Sequence, residues 1–141
     1  VWLLRIKNKI INLKKDFMEK GDIYWAKDRE NHPHAIVFLE SIDDVRFKGC
    51  ILSSRAINEN LLIQPSYFME ESNMGIKFEF PSKQTYLITS ASFIKMDYWI
   101  DDEKIIGRLT DDGISFVERN IPEQPLLCSA PIWKLRPPKD H

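Results

Sequence analysis

The chain opens with Leu3, Ile6, Ile10, Leu13 and Phe17 at spacings of three and four, with the lysines outside that stripe. This spacing predicts one face of an amphipathic helix. From Gly21 onward the pattern changes to short β-branched and aromatic runs bounded by turn residues. Such runs predict a small barrel or sandwich rather than a βαβ fold. Strands are expected at Ile23–Ala26, Ala35–Glu40, Arg46–Ser53, Leu61–Gln64, Ile76–Phe80 and Tyr86–Lys95. Asp43-Asp44 is a tight connection that should make a hairpin of the second and third. Pro65 and Pro81 mark strand exits, because neither can donate to a ladder. The polar, proline-containing stretch Lys27–His34 predicts a mobile loop over one end of the barrel.

A helix is expected over Thr110–Asn120, with Thr110 as N-cap and Asp111 and Asp112 at the positive end of the dipole. Ile114, Val117 and Ile121 would line its buried face, and Pro122 would end it. The expected organisation is an N-terminal extension over 1–17, one domain over 18–121 and a proline-rich tail over 122–141, its last few residues disordered. Three readings compete for the extension: a helix packed on the domain, a basic helix engaging a partner or membrane surface, or a stretch outside the natural product. On the third, Lys14-Lys15-Asp16-Phe17-Met18 back-translates to a ribosome-binding-like sequence before a start codon, setting the natural start at Met18.

Composition narrows the classes. With 141 residues, 43% of them hydrophobic, the chain can fill one core without disulfides or metal. Cys50 and Cys128 lie far apart with no Cys-x-x-Cys spacing, so buried free thiols in a reducing compartment are expected. The apolar N-terminus is interrupted by Arg5, Lys7 and Lys9, unlike a secretory signal, and no run is long enough to span a bilayer. The expectation is a cytoplasmic protein with no membrane partner. Five glycines in all are too few for a Rossmann or P-loop reading. Residues 1–17 carry a net +4, which leaves −5 on the rest of a chain whose formal charge is −1. An acidic body must gather its cations locally if it is to hold nucleic acid.

Several side chains could carry chemistry. His32 and His34 flank Pro33 and, on an extended chain, share one side. They suit a general acid and base, or two ligands of a metal with no obvious further ligands, or they are simply solvent-exposed loop histidines. Ser53 at a strand end either takes part in a site or bonds a turn. Arg29, Arg46, Lys48 and Arg55 either collect at one barrel end as phosphate contacts or are scattered surface charge. Trp25, Tyr24 and Phe38 sit inside strand runs and are expected in the core, whereas Tyr98 and Trp99 follow the last strand in a polar context that favours exposure.

The blocks Gly21-Asp22-Ile23-Tyr24-Trp25-Ala26, His32-Pro33-His34-Ala35-Ile36-Val37-Phe38-Leu39, Gly49-Cys50-Ile51-Leu52-Ser53-Ser54, Tyr86 to Lys95 and Ile105-Ile106-Gly107-Arg108-Leu109-Thr110 resemble, in order and spacing, the strands of the MazF/PemK toxin family over about Met18 to Ile121. That resemblance implies a mainly β (α+β) chain: a small SH3-like barrel with a C-terminal helix, here with an N-terminal helical extension. It implies a homodimer and a metal-independent endoribonuclease, without cofactor, that cleaves single-stranded RNA and is held in check by an antitoxin protein. On the matching positions His32 and Ser53 would be catalytic, with Arg29, His34, Ser54, Arg55 and Lys95 binding RNA. Active relatives carry an Arg before the proline where this chain has His32, which exchanges a fixed, forked cation for a group that titrates near neutrality. Lys95 is the nearest counterpart of the family's late basic residue, with Asp97 two positions on. Two alternatives stand beside this: a non-catalytic protein of the same fold binding a protein or nucleic acid, and an unrelated SH3-like module whose groove takes a peptide.

Overall fold

The structure, a computed structural model, describes residues 18–27, 33–57, 59–90, 92–100 and 104–122. The extension over 1–17, Arg29 and His32, and the tail from 123 onward with Cys128 lie outside the described residues. Those described form a mainly β structure with one helix: β1 (Asp22–Lys27), β2 (Pro33–Ser41), β3 (Arg46–Ser53), β4 (Leu61–Ile63), β5 (Thr85–Leu87), β6 (Phe93–Met96), β7 (Gly107–Arg108) and α1 (Asp111–Asn120). The strands make a curled antiparallel half-barrel in the order β4-β5-β3-β2-β1-β7, with β6 also on β3.

The β2–β3 hairpin is the centre of the sheet, and Asp43 shapes its turn. The Asp43 carboxylate accepts from the backbone N–H of Val45 (3.0 Å) and of Arg46 (2.8 Å), and from Arg46 Nε at 2.7 Å. These bonds, the Val45 N–H first, hold its carboxyl down at about 2. A register shift at Leu39 bends β2, as an extra residue in one strand does. Opposite the bend, Gly49 is required by close approach: a Cβ there would lie 2.7 Å from the Val37 carbonyl oxygen and 2.8 Å from Phe93 Cζ.

Both faces of the central strands are covered, so β2 reads as a continuous apolar run rather than an alternating one. On one face Ile23, Val37, Cys50, Leu52, Leu87 and Leu109 pack with Val117 of α1 and with Ile121 just beyond it. On the other side Tyr24, Ile36, Phe38, Phe47 and Ile51 meet Phe93, Trp99 and Ile100. Phe93 and Trp99 stack edge to face with centroids 4.9 Å apart. Thr110 caps α1: its Oγ1 accepts from Gly113 N at 3.1 Å, and its own backbone N–H donates to the Tyr67 carbonyl. The helix is thereby tied to the 3-10 turn at Pro65–Tyr67 as well as to the core. Cys50 is fully buried, and burial pushes its thiol up to about 12, so it is inert packing.

Two expected strands differ from what forms. Ile76–Phe80 is not a strand: Glu71 and Lys77 make an isolated bridge, Ile76 is 59% exposed, and Phe80 N donates to the Ile106 carbonyl. The expected long strand Tyr86–Lys95 is two strands on the same edge of β3. Leu87 lies opposite Leu52 and Phe93 opposite Gly49, so six steps on one chain match three on the other. The surplus is looped out around Thr89 and Ser90, and that loop becomes part of the site.

Candidate functional site

The register of the hairpin sets the first elements of the site. Ala35 pairs with Leu52, and one further step along the same register brings His34 across from Ser53. Both line a cleft of about 1170 Å³ at this end of the sheet. It is lined by Trp25, Ala35, Ile51 and Leu52 from the strands, and by the turn after β3, the Pro81–Thr85 turn and the loop at Thr89 and Ser90. Local bonds shape the turn after β3 and the Pro81–Thr85 turn, and one longer-range bond ties the loop at Thr89 to the turn after β3. Ser53 Oγ accepts from Arg55 N at 3.1 Å and holds the chain as it leaves β3. Asn60 Nδ2 donates to the Arg55 carbonyl (3.1 Å), Thr89 Oγ1 to the Glu59 carbonyl (3.1 Å), and Thr85 Oγ1 to the Pro81 carbonyl (2.9 Å).

The chemistry of the lining is mixed. Hydroxyls come from Ser53, Ser54, Thr85, Thr89 and Ser90, carboxamides from Asn60 and Gln84, and apolar surface from Trp25, Phe80, Ile57 and Ile88. The charged side chains of the lining are Arg55 and Lys83 and one carboxylate, Glu59, a formal surplus of one positive charge before His34 is counted. Against a net −5 for residues 18–141, that is the local gathering of cations that an anionic ligand requires. Ser53 accepts from a backbone N–H and still has an O–H to give.

Of the residues singled out in the sequence, His34, Ser53, Ser54 and Arg55 line this one cleft. Lys95 does not. It lies on β6 opposite Phe47, only 1% exposed, with its Nζ 5.5 Å from the centre of the Trp99 ring. The parity of β6 turns Lys95 with Phe93 toward the cluster around Trp99, which is why a count along one long strand misplaced it. Arg46 and Lys48 also belong elsewhere: Arg46 is paired with Asp43 at the hairpin tip, and Lys48 lines a separate hollow of about 270 Å³ beside Lys20 and Glu118. His32 and Arg29 lie outside the described residues.

The structure adds residues that the sequence reading left aside. Trp25, expected in the core, is half-buried, packed against the cluster around Val37 and Leu52 and open to the cleft. Trp99, expected to be exposed, is 8% exposed, while its neighbour Tyr98 is 75% exposed. Lys83, Gln84, Asn60, Thr89 and Ser90 come to the cleft only through folding. The one local signal was the run Thr89-Ser90-Ala91-Ser92, short polar side chains in the middle of an apolar strand. Among the described residues, no group of three or more His, Cys, Asp or Glu side chains is arranged to hold a metal ion. No helix among them is long and apolar enough to cross a membrane. No protein-family model matches the chain, and neither a curated protein nor a solved structure matches it.

Proposed function

We propose that the cleft binds single-stranded RNA and cleaves it without metal, in a half-barrel of the SH3-like MazF/PemK type. The observation that supports the reading is the meeting of His34, Ser53, Ser54 and Arg55 around one cation-bearing cleft on an otherwise acidic chain. Aromatic and carboxamide groups beside cations are what splayed bases on a charged backbone need.

In the proposed reaction the ribose 2′-oxygen attacks the adjacent phosphorus, forming the O2′–P bond as the P–O5′ bond breaks. His34 takes the 2′-hydroxyl proton. Arg55 and Lys83 offset the charge that develops on the phosphorane oxygens, and Ser53 and Ser54 donate to them. His32, two residues back along the chain, is assigned the proton for the departing O5′ on sequence grounds. The products are a 2′,3′-cyclic phosphate and a free 5′-hydroxyl, so no external oxidant, reductant or water is consumed in this step. The reading includes a homodimer and an antitoxin protein as partners; exposed Leu61 and Leu62 on edge strand β4 offer an apolar, unpaired edge for another chain.

The test is cleavage of a fluorogenic single-stranded RNA in EDTA. Wild-type protein is expected to cut, and His34→Ala to lose at least about a hundredfold in rate while still binding. No cleavage by wild-type protein that nonetheless binds RNA would leave a non-catalytic binder, and unchanged cleavage by His34→Ala would remove the mechanism.

A further inference from the structure

We infer that Gln84 reads a base edge of an RNA strand lying in the cleft while its neighbour Lys83 holds a phosphate. This rests on the RNA reading above and names how that site discriminates.

Gln84 is the single non-glycine residue with positive φ among the described residues, at φ 55°. In that left-handed region a Cβ crowds the following carbonyl, and glycine, or at some cost asparagine, is the usual occupant. The turn that imposes the conformation is set by its two ends. Thr85 is 5% exposed, pairs with Ile63 across β4, and closes the turn through its hydroxyl on the Pro81 carbonyl. A glycine at 84 would satisfy that geometry without strain. The Gln84 side chain is exposed on the cleft wall, so burial in the core does not compensate for the conformation. Strain held at an exposed position in a cleft is a pointer to use of the side chain.

The chemistry of the two neighbours divides the work. A carboxamide presents a donor and an acceptor side by side in one plane, the complement of a nucleobase edge, and carries no charge for a phosphate. Lys83 is a point charge on a flexible stem, suited to phosphate and blind to sequence.

The experiment is fluorescence anisotropy of the full chain with 2′-O-methyl hexamers of A, C and U, which the proposed reaction cannot cleave, over a series of salt concentrations. Wild-type protein is expected to prefer one hexamer by about fivefold or more, each good base contact being worth roughly that or better. Gln84→Gly should reduce the preference to about twofold or less with the salt slope unchanged and the Tm held or raised. Lys83→Ala should keep the preference and lower the slope of log K against log salt by about 0.7, one single-strand phosphate contact. A preference that survives Gln84→Gly, a Tm lowered by several degrees in that variant, or equal wild-type affinity for all three hexamers would each overturn the inference while leaving the cleft an RNA site. Absence of any binding by wild-type protein would overturn both.

Discussion

Arg108 donates through Nε to Oδ1 of Asp22 at 2.6 Å, joining residues 86 positions apart in the chain. The two are register partners on β1 and β7, and Asp22 is wholly buried. The other carboxylate oxygen accepts from Glu19 N at 2.9 Å and from the Tyr24 hydroxyl at 3.4 Å. The pair therefore fastens the first strand of the half-barrel to the last, next to the cap of α1. Asp22→Ala is expected to cost about 3 kcal/mol, because it leaves a guanidinium that is 16% exposed with only the more distant Glu19 carboxylate, at 3.7 Å, as its counter-ion. Asp22→Ala with Arg108→Met should be less destabilised than Asp22→Ala alone. Urea denaturation of the single and double variants measures both.

Tyr24 makes the same network sensitive to alkali. Burial, then the charge of Asp22 and the hydrogen bond to it, push the Tyr24 phenol well above its usual value of 10.0. The folded protein thus keeps a proton that the unfolded chain gives up. Stability from this group is complete below pH of about 10 and falls as pH rises beyond it, toward the elevated folded-state value. Tyr24→Phe should flatten that decline. Denaturation midpoints between about pH 9 and 11 give the comparison; an unchanged slope in Tyr24→Phe would assign the loss to other groups.

Glu59 is the anion among the cations of the cleft. It is exposed, so its field is weakened by water and salt. Glu59→Gln is expected to tighten RNA binding by roughly twofold to fivefold at low salt, and by less as salt is raised. Affinity titrations of the two proteins at low and moderate ionic strength check the sign, which is opposite to that expected of Arg55→Ala.

Much of the fold was legible because several signals agreed locally. β1, β2 and β3 combine β-branched and aromatic runs with a turn whose Asp43 makes its own bonds, and α1 has a capping threonine, acidic first turn and apolar stripe in the right order. The same consistency delivered His34, Ser53, Ser54 and Arg55, which sit on or just beyond the ends of paired strands. The loop at Thr89 and Ser90 was not legible, because a surplus of residues against a partner strand exists only once the partner is known. Ile76–Phe80 has the composition of a strand, but among the described residues its backbone bonds are divided between 70–72 and Ile106 and no ladder forms along its length. Lys95 illustrates the period-2 rule: an interrupted strand changes which face a given residue takes. Lys83 and Gln84 reach the cleft through pairing of Thr85 with Ile63, which no local pattern announces.

The most direct test of RNA binding in the cleft is an amide-shift titration of isotope-labelled protein with a short, non-cleavable single-stranded RNA. The expected result is a saturable perturbation centred on His34, Ser53, Ser54, Arg55, Lys83 and Thr89, with the cluster around Trp99 and Lys95 unmoved. Saturable shifts confined to that cluster, or no shifts at any RNA concentration, would contradict it.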